Sequence, residues 1–398
     1  MIAAIAEGTT KIANYSTGAD CQSTLGCVRA LGAEVERRDS GTWIHGRGLD
    51  GLHAAADPLD AGNSGSTIRM LSGILAAQPF ATRIGGDDSL SRRPMARIME
   101  PLRQMGAVIE ARDNRFPPLT IRGATLQPIT YTLPVASAQV KSCVLLAGLF
   151  AEGRTTVHEP LRTRDHTELA LREFGADVDV EKLAITVTGR PRLQARDLRV
   201  PGDLSSAAFF IAATLLVPGS TLTIRGVGLN PTRSTLLDVL MEMGASIKVM
   251  DITVTAGELI GDVLVRTSPI RGGLLEKART AALIDEIPVL AVLGAASAEG
   301  LMVRDAAELR VKESDRIATI AENFRRMGVS IQVREDGFEV PGRQKFHAAE
   351  IDSFGDHRIA MAFSVAALLA DGPCLISGSE AASVSFPEFF ATLHRVAG

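Results

Sequence analysis

The chain repeats two patterns of hydrophobic and polar positions. In the first pattern, a helix-like segment ends in a glycine and is followed by alternating apolar and polar residues, with the glycine at positions 32, 106, 175, 244 and 328. A glycine at this point suits the left-handed turn that ends many helices. The alternation after it is typical of a half-buried strand. The pattern therefore predicts five helix–glycine–strand units.

The second pattern is an apolar, alanine-rich run that leads into a Thr/Val-rich segment. It occurs six times, with copies that begin at Ile2, Met70, Val144, Phe209, Val289 and Phe363. A spacing of about seventy residues predicts six α/β units. A chain of 398 residues exceeds one typical core. We therefore expect two domains, residues 1–200 and 201–398, with three units in each and the first unit cut short.

Short polar segments precede the apolar helices, for example GNSGSTIR, VASAQVKS and FGDHRIAM. Free backbone N–H groups and partial positive charge at a helix N-terminus suit an anion, although an ordinary N-cap explains each segment taken alone. The copy at Ile2 has no such segment. The repeat therefore predicts a strand and a polar helix start upstream of Met1, and an exposed sheet edge where that strand would pair.

Composition excludes several classes of function. The net charge is −4 and only 4% of residues are aromatic, so we expect no nucleic-acid partner. No apolar run approaches the length that spans a membrane. The cysteines show no metal-type spacing and are typical of free thiols in a reducing cytoplasm. We therefore expect a cytoplasmic protein that holds no metal.

Charged residues cluster at predicted helix starts. Lys312 and Arg316 are four residues apart, which predicts that they share one helix face. Cations at a helix N-terminus oppose the helix dipole, so a bound anion would compensate them, although a solvated face is the alternative. Asp285 and Glu286 lead an apolar helix, and a carboxylate there is either a dipole cap or an acid/base group.

Taken in order, nine motifs resemble those of the 5-enolpyruvylshikimate-3-phosphate (EPSP) synthase family over essentially the whole chain: GNSGSTIR, SLSRRPM, SAQVKS, TRDHTE, PGDLSSAA, IDEIP, RVKESDR, FGDHRIAM and SFPEFF. The resemblance implies transfer of the enolpyruvyl group of phosphoenolpyruvate to shikimate 3-phosphate, with release of phosphate, in aromatic amino acid biosynthesis. It implies an α/β fold of two domains, with six βαβαββ repeats whose helix N-termini converge on an interdomain cleft. It also implies a protein that is a monomer, needs no cofactor and is a target of the inhibitor glyphosate.

The resemblance further implies a role for particular residues. Those matching the phosphoenolpyruvate site are Asn63, Gly65, Arg69, Arg93, Gln139, Arg316 and Arg358. Those matching the shikimate 3-phosphate site are Ser137, Gln139, Arg164, Asp285 and Lys312. Asp285 matches a candidate base, and Lys312 and Glu313 match a pair proposed to transfer protons.

The sequence departs from the family at three points. Ala138 stands where many members have a second serine, and Val384 stands where some have a lysine. The family's Gly-Asp-Lys-Ser segment and its nearby arginine are not among the 398 residues, so we expect weak activity from the chain as given. One alternative is a pseudoenzyme that binds phosphorylated ligands without turnover. The other is a UDP-N-acetylglucosamine enolpyruvyl transferase, which would be expected to carry a cysteine within residues 85–95, where this chain has none.

Overall fold

A computed structural model describes residues 1–397, which form two compact units. The first unit spans Met1–Val200, and the second begins at Pro201. Both are mixed α/β, and three β-sheets form in each. This is the α/β class that the sequence pattern predicts. Within the described residues, no helix combines the length and the apolar character needed to cross a membrane.

The first unit repeats one sheet topology three times. Its strands are β1 (Glu7–Ala13), β2 (Glu34–Arg38), β3 (Gly41–Arg47), β4 (Leu59–Asp60), β5 (Ala81–Gly85), β6 (Val108–Arg112), β7 (Phe116–Arg122), β8 (Thr130–Thr132), β9 (Arg154–His158), β10 (Val178–Glu181), β11 (Ala184–Thr188) and β12 (Leu198–Arg199). Its helices are α1 (Ala19–Ala30), α2 (Gly65–Leu75), α3 (Ala96–Gln104), α4 (Ala138–Gly148) and α5 (His166–Glu173), with short 3-10 helices at Ile2–Ile5 and Leu90–Arg92. The sheet orders are β12-β1-β3-β2, β4-β5-β7-β6 and β8-β9-β11-β10. In each sheet the first pair of strands is parallel and the others are antiparallel.

The second unit has smaller sheets, of orders β13-β15-β14, β16-β17-β19-β18 and β20-β21. Its strands are β13 (Thr221–Gly228), β14 (Ser246–Thr255), β15 (Glu258–Arg266), β16 (Gly273–Leu275), β17 (Leu301–Val303), β18 (Gln332–Arg334), β19 (Gly337–Val340), β20 (Glu350–Asp352) and β21 (Leu375–Ser377). Its helices are α6 (Leu204–Leu216), α7 (Thr235–Glu242), α8 (Lys277–Ala282), α9 (Ile287–Ala296), α10 (Arg316–Arg326), α11 (His357–Ala367) and α12 (Phe389–Ala397), with 3-10 helices at Ala307–Val311 and Ser379–Val384.

The apolar helices predicted from the alanine-rich runs form the core of each unit. In the first unit these are α2 and α4, and in the second they are α6, α9 and α11. Helices α2 and α4 approach closely because Gly73 has no side chain. A Cβ there would lie 2.2 Å from the carbonyl oxygen of Cys143.

The glycines predicted to end helices do so. Each takes a positive φ, of 95° at Gly32, 110° at Gly106, 93° at Gly175, 101° at Gly244 and 74° at Gly328. Each follows within two residues of the helix that ends before it. The prediction from the first pattern is therefore confirmed, because a left-handed turn strains any residue that carries a Cβ.

The exposed sheet edge that the repeat predicts does not lie at β1. Strand β12 pairs in parallel with β1 at Ile12 and Ala13, and Glu7 forms a further bridge to Gln194. The 3-10 helix at Ile2–Ile5 is also largely buried. Sequence repeats did not reveal this pairing because β12 lies about 190 residues away along the chain.

Candidate active site

The start of α2 brings two arginine side chains to a glycine. Ser64 caps the helix, its Oγ accepting a hydrogen bond from the Thr67 backbone N–H at 3.1 Å. Arg93 donates from Nη2 to Oδ1 of Asn63 at 2.6 Å. A Cβ at Gly65 would lie 3.3 Å from Nη1 of Arg69 and 3.4 Å from Nη1 of Arg93. The glycine therefore leaves open the space between two guanidinium groups at a helix N-terminus, an arrangement suited to an anion.

The start of α4 is hydrogen-bonded to α2. Ser137 caps α4, accepting from the Val140 backbone N–H at 3.4 Å. Arg69 donates from Nη1 to Oε1 of Gln139 at 2.6 Å, and Nε2 of Gln139 donates to Oγ of Ser66 at 2.8 Å. These bonds complete what we call the first-unit cluster: Asn63, Gly65, Arg69, Arg93, Ser137 and Gln139. Arg164 lies outside these bonds, half-buried in the segment between β9 and α5.

In the second unit, a buried arginine lies among three carboxylates. Arg316 is 1% exposed and donates from Nε to Oδ2 of Asp356 at 2.8 Å, and from Nη2 to Oδ1 at 3.2 Å. Its Nη2 also donates to Oε2 of Glu313 at 2.6 Å, and its Nη1 donates to Oδ1 of Asp285 at 3.4 Å. Every nitrogen of this guanidinium therefore has a carboxylate partner, which fixes the side chain in place.

Asp285 connects Arg316 to two further cations. Its Oδ1 accepts from Nζ of Lys312 at 3.3 Å, and its backbone carbonyl accepts from Nη1 of Arg358 at 2.9 Å. Asp285, Lys312, Glu313, Arg316, Asp356 and Arg358 form the second-unit cluster. Asp285 and Glu313 accept from Arg316, and Lys312 donates to Asp285, so the cluster contains groups that can exchange protons and cations that can hold an anion.

The prediction that Lys312 and Arg316 share a helix face was wrong. Helix α10 begins at Arg316, and Asp315 is its N-cap, accepting from the Ala318 backbone N–H at 3.0 Å. Lys312 lies before the helix in an extended conformation. An aspartate that caps a helix stops it from extending further back, so the two side chains meet through Asp285 rather than along a helix.

Burial and neighbouring charge shift the ionisation of the acidic and imidazole groups at the start of α11. Burial favours the neutral form of Asp356, but Arg316 outweighs it and holds the pKa of that carboxyl far below its ordinary value. Burial, assisted by Arg358, lowers the pKa of His357 from 6.5 to about 4. Asp356 is therefore ionised and His357 neutral at pH 7.

Potential metal ligands gather at another place. Among residues 1–397, the one group of three whose ligand atoms lie within 4.8 Å of one another is Glu34, Glu36 and His45. It lies on β2 and β3, and the side chains of Glu36 and His45 are both more than one-third exposed. Glu36 also pairs with Arg38, so the group has an ordinary salt-bridge explanation.

Comparison with known proteins identifies the family. A family model described as EPSP synthase (3-phosphoshikimate 1-carboxyvinyltransferase) matches residues 1–393. A relative from Solibacter usitatus, named 3-phosphoshikimate 1-carboxyvinyltransferase, is 66% identical over all of this chain and 93% of its own length. The chain belongs to the EPSP synthase family.

Other relatives extend the EPSP synthase match. A 3-phosphoshikimate 1-carboxyvinyltransferase from Bacillus velezensis is 47% identical over all of this chain and 93% of its own length. The solved EPSP synthase of Acinetobacter baumannii superimposes with a TM-score of 0.87, at 43% identity, and covers all of this chain and 92% of its own. The enolpyruvyl transferase NikO of Streptomyces tendae, at 18% identity and a TM-score of 0.74, shares the fold. These relatives do not favour a UDP-N-acetylglucosamine enolpyruvyl transferase.

Two acidic residues, Asp356 and Glu286, are matched to neither substrate by the resemblance but lie beside the arginines of the second-unit cluster. Asp356 lies in the FGDHRIAM motif, but its partner Arg316 lies 40 residues earlier. Glu286 accepts a short hydrogen bond from Ser205, and one of its oxygens lies 3.8 Å from Nη1 of Arg358. The sequence shows an acidic residue at the start of an apolar helix. This pattern does not predict which cation the residue faces.

Proposed function

We propose that this chain transfers the enolpyruvyl group of phosphoenolpyruvate to the 5-hydroxyl of shikimate 3-phosphate and releases phosphate. Membership of the EPSP synthase family supports the reaction. The observation that carries the proposal is the second-unit cluster, where Asp285 and Glu313 accept from a fixed cation, Arg316, and Lys312 donates to Asp285. Addition followed by elimination needs groups that both give and accept protons, and this cluster contains them.

The arginines bind phosphoenolpyruvate in this proposal. Arg69 and Arg93 converge at Gly65, where the α2 N-terminus adds backbone N–H groups, and Asn63 and Gln139 hold the two guanidinium groups in place. Arg316 and Arg358 are assigned to the same substrate. Preorganised guanidinium groups suit a phosphate and a carboxylate because each offers two parallel donors.

The side chains assigned to shikimate 3-phosphate are those of Ser137, Gln139, Arg164, Asp285 and Lys312. Asp285 accepts hydrogen bonds from its hydroxyl groups, and Lys312 donates to it. Asp285 suits this role because its carboxylate is largely buried and lies beside Lys312 and Arg316.

The chemistry runs in two steps. Asp285 takes the proton of the 5-hydroxyl as the hydroxyl oxygen attacks C2 of phosphoenolpyruvate. Lys312 protonates the C3 methylene in the same step, which gives a tetrahedral ketal. Glu313 then removes a proton from the C3 methyl group, the C2–C3 double bond re-forms, and phosphate leaves. Arg316 and Arg358 stabilise the negative charge of phosphoenolpyruvate during both steps.

The proposal is tested by measuring phosphate release from the chain supplied with both substrates or either one. We expect release only when both are present, and at least a hundredfold less from Asp285→Asn, which keeps the shape but loses the base (about 10²–10⁴-fold). Calorimetric binding of shikimate 3-phosphate without any phosphate release would overturn enolpyruvyl transfer and leave the ligand-binding pseudoenzyme.

Three further expectations belong to this proposal. We expect a monomer, which light scattering measures as 42.2 kDa. Within residues 1–397, Cys21, Cys27, Cys143 and Cys374 form no disulfide, which supports a cytoplasmic location. We also expect glyphosate to inhibit by competing with phosphoenolpyruvate at Gly65. Full activity at glyphosate concentrations well above that of phosphoenolpyruvate would contradict this.

A further inference from the structure

A fully buried lysine in the first unit pairs with two buried carboxylates. The side chain of Lys141, in α4, is 0% exposed, and those of Glu159 and Glu168 are 1% and 2% exposed. Nζ of Lys141 lies 3.2 Å from Oε1 of Glu159 and 2.6 Å from Oε1 of Glu168. Buried ion pairs of this kind often contribute less stability than apolar residues of the same size, so stability alone does not explain the triad.

The triad holds both ends of one segment against α4. Glu159 directly follows β9, and Glu168 lies in the first turn of α5. Residues 159–168 therefore contact α4 through Lys141 at both of their ends. One further bond attaches the segment to α4, and two bonds order it internally. Ser142 and Thr167 share a hydrogen bond of 2.6 Å between their hydroxyl groups, and the backbone N–H and hydroxyl of Thr163 both donate to Glu159.

Arg164 lies inside this segment, directly after Thr163. On the other side of Lys141, the first turn of α4 carries Ser137 and Gln139, and Gln139 is bonded to Arg69. Lys141 therefore connects the backbone that carries Arg164 to the helix start that carries Ser137 and Gln139. These three residues are the ones to which we assign shikimate 3-phosphate in the first unit.

We propose that Lys141 is a positioning residue for shikimate 3-phosphate, which sets the distance between Arg164 and the start of α4. This inference rests on the proposed function. Lys141 touches neither substrate in this account and acts through the segment 159–168. Without its ammonium group, two buried carboxylates repel each other with no cation between them, and the segment moves outward. Burial already raises the pKa of Glu168, in keeping with a site where a second negative charge is poorly tolerated.

The test compares binding of shikimate 3-phosphate to the full chain and its variants by calorimetry, together with KM for each substrate. Lys141→Met removes the charge at similar length. That single variant leaves two buried carboxylates without a cation. A triple variant, Lys141→Met with Glu159→Gln and Glu168→Gln, removes the unbalanced negative charge and keeps the test valid if the single variant does not fold. Val144→Ala is the matched control, since it removes buried packing from the same helix and touches no charge.

We expect the Kd and KM for shikimate 3-phosphate to rise about 10- to 100-fold in the charge variants, because a binding group is misplaced by about 1 Å. The KM for phosphoenolpyruvate and kcat should change less than about threefold. Val144→Ala should lower Tm and leave the ratio of the two KM values unchanged. A folded triple variant that binds shikimate 3-phosphate as the unmodified chain does would overturn the inference while the proposed function stands. If the unmodified chain binds no shikimate 3-phosphate, the proposed function fails, and this inference fails with it.

Discussion

Arg316 and Asp356 form a two-point ion pair that is shielded from solvent, with Nε to Oδ2 at 2.8 Å and Nη2 to Oδ1 at 3.2 Å. The side chain of Asp356 is 0% exposed, and its Oδ1 also accepts from the Arg358 backbone N–H at 2.9 Å. One carboxylate therefore fixes the position of Arg316 and the start of the helix that carries Arg358. Both cations that we assign to phosphoenolpyruvate in the second unit depend on it.

Asp356→Asn should destabilise the protein strongly. The amide still caps α11, but it leaves the buried Arg316 with one carboxylate fewer, and breaking a buried pair costs about 3–5 kcal/mol. Urea unfolding measures this difference. The control is Asp315→Asn, which changes a partly exposed cap of α10 and should cost less than about 1 kcal/mol. Equal losses from the two variants would contradict the role given to Asp356.

Local structure was predictable from the sequence, and long-range pairing was not. The glycines at 32, 106, 175, 244 and 328 marked helix ends because a left-handed turn restricts residue type at one position. The alanine-rich runs marked buried helices because burial leaves few residue types. The partner of Arg316 could not be read from the sequence, since a charged residue shows where a helix starts and not which opposite charge the fold brings to it. Family resemblance, rather than spacing, supplied the residues assigned to each substrate, and their roles remain predictions.

The start of α10 shows the same limit at short range. A spacing of four residues is compatible with one helix face, but a capping aspartate between Lys312 and Arg316 takes precedence over it. Asp315 is in the sequence, so the signal was present. What the spacing could not show was which of the acidic residues 313 and 315 would act as the cap.

Gly65→Ala should weaken phosphoenolpyruvate binding selectively. The new methyl group would enter the space between Arg69 and Arg93, 3.3 and 3.4 Å from their Nη1 atoms. We expect KM for phosphoenolpyruvate to rise about tenfold, a cost typical of overpacking a well-fitted site by one methyl group. Stability should be unchanged or higher, since alanine favours a helix. Steady-state kinetics measures the effect.

Gly26→Ala is the control for that substitution, because it also lies in a helix and nothing comes within 4 Å of its added Cβ. It should leave both KM values unchanged. If Gly65→Ala raised KM for shikimate 3-phosphate as much as that for phosphoenolpyruvate, Gly65 would not be specific to phosphoenolpyruvate.

Stability should fall as the pH is lowered through the range where the unfolded His357 gains a proton. Burial lowers its pKa in the fold from 6.5 to about 4, so the unfolded chain binds that proton first. The stabilisation is complete above about pH 6.5 and is lost as the pH falls towards 4, at up to about 1.4 kcal/mol per pH unit. Urea unfolding at intervals from pH 8 to 5 measures the slope.

His357→Gln should flatten that slope, because glutamine does not titrate. His394→Gln changes an exposed histidine and should preserve it. Asp356 acts in a lower window, because its pKa is lowered from 3.8, and so it does not confuse the measurement above pH 5. An unchanged slope in His357→Gln would show that another group carries the pH dependence.

The most direct test of enolpyruvyl transfer is mass spectrometry of the product formed in D2O from phosphoenolpyruvate and shikimate 3-phosphate. Addition gives C3 a deuteron from the solvent, and elimination then removes one of its three hydrogens, so the account predicts an enolpyruvyl product whose methylene carries solvent deuterium. Asp285→Asn should form it at least a hundredfold more slowly, within the range of about 10²–10⁴-fold for loss of an acid/base group. A product free of deuterium, or no product when both substrates are bound, would contradict the account.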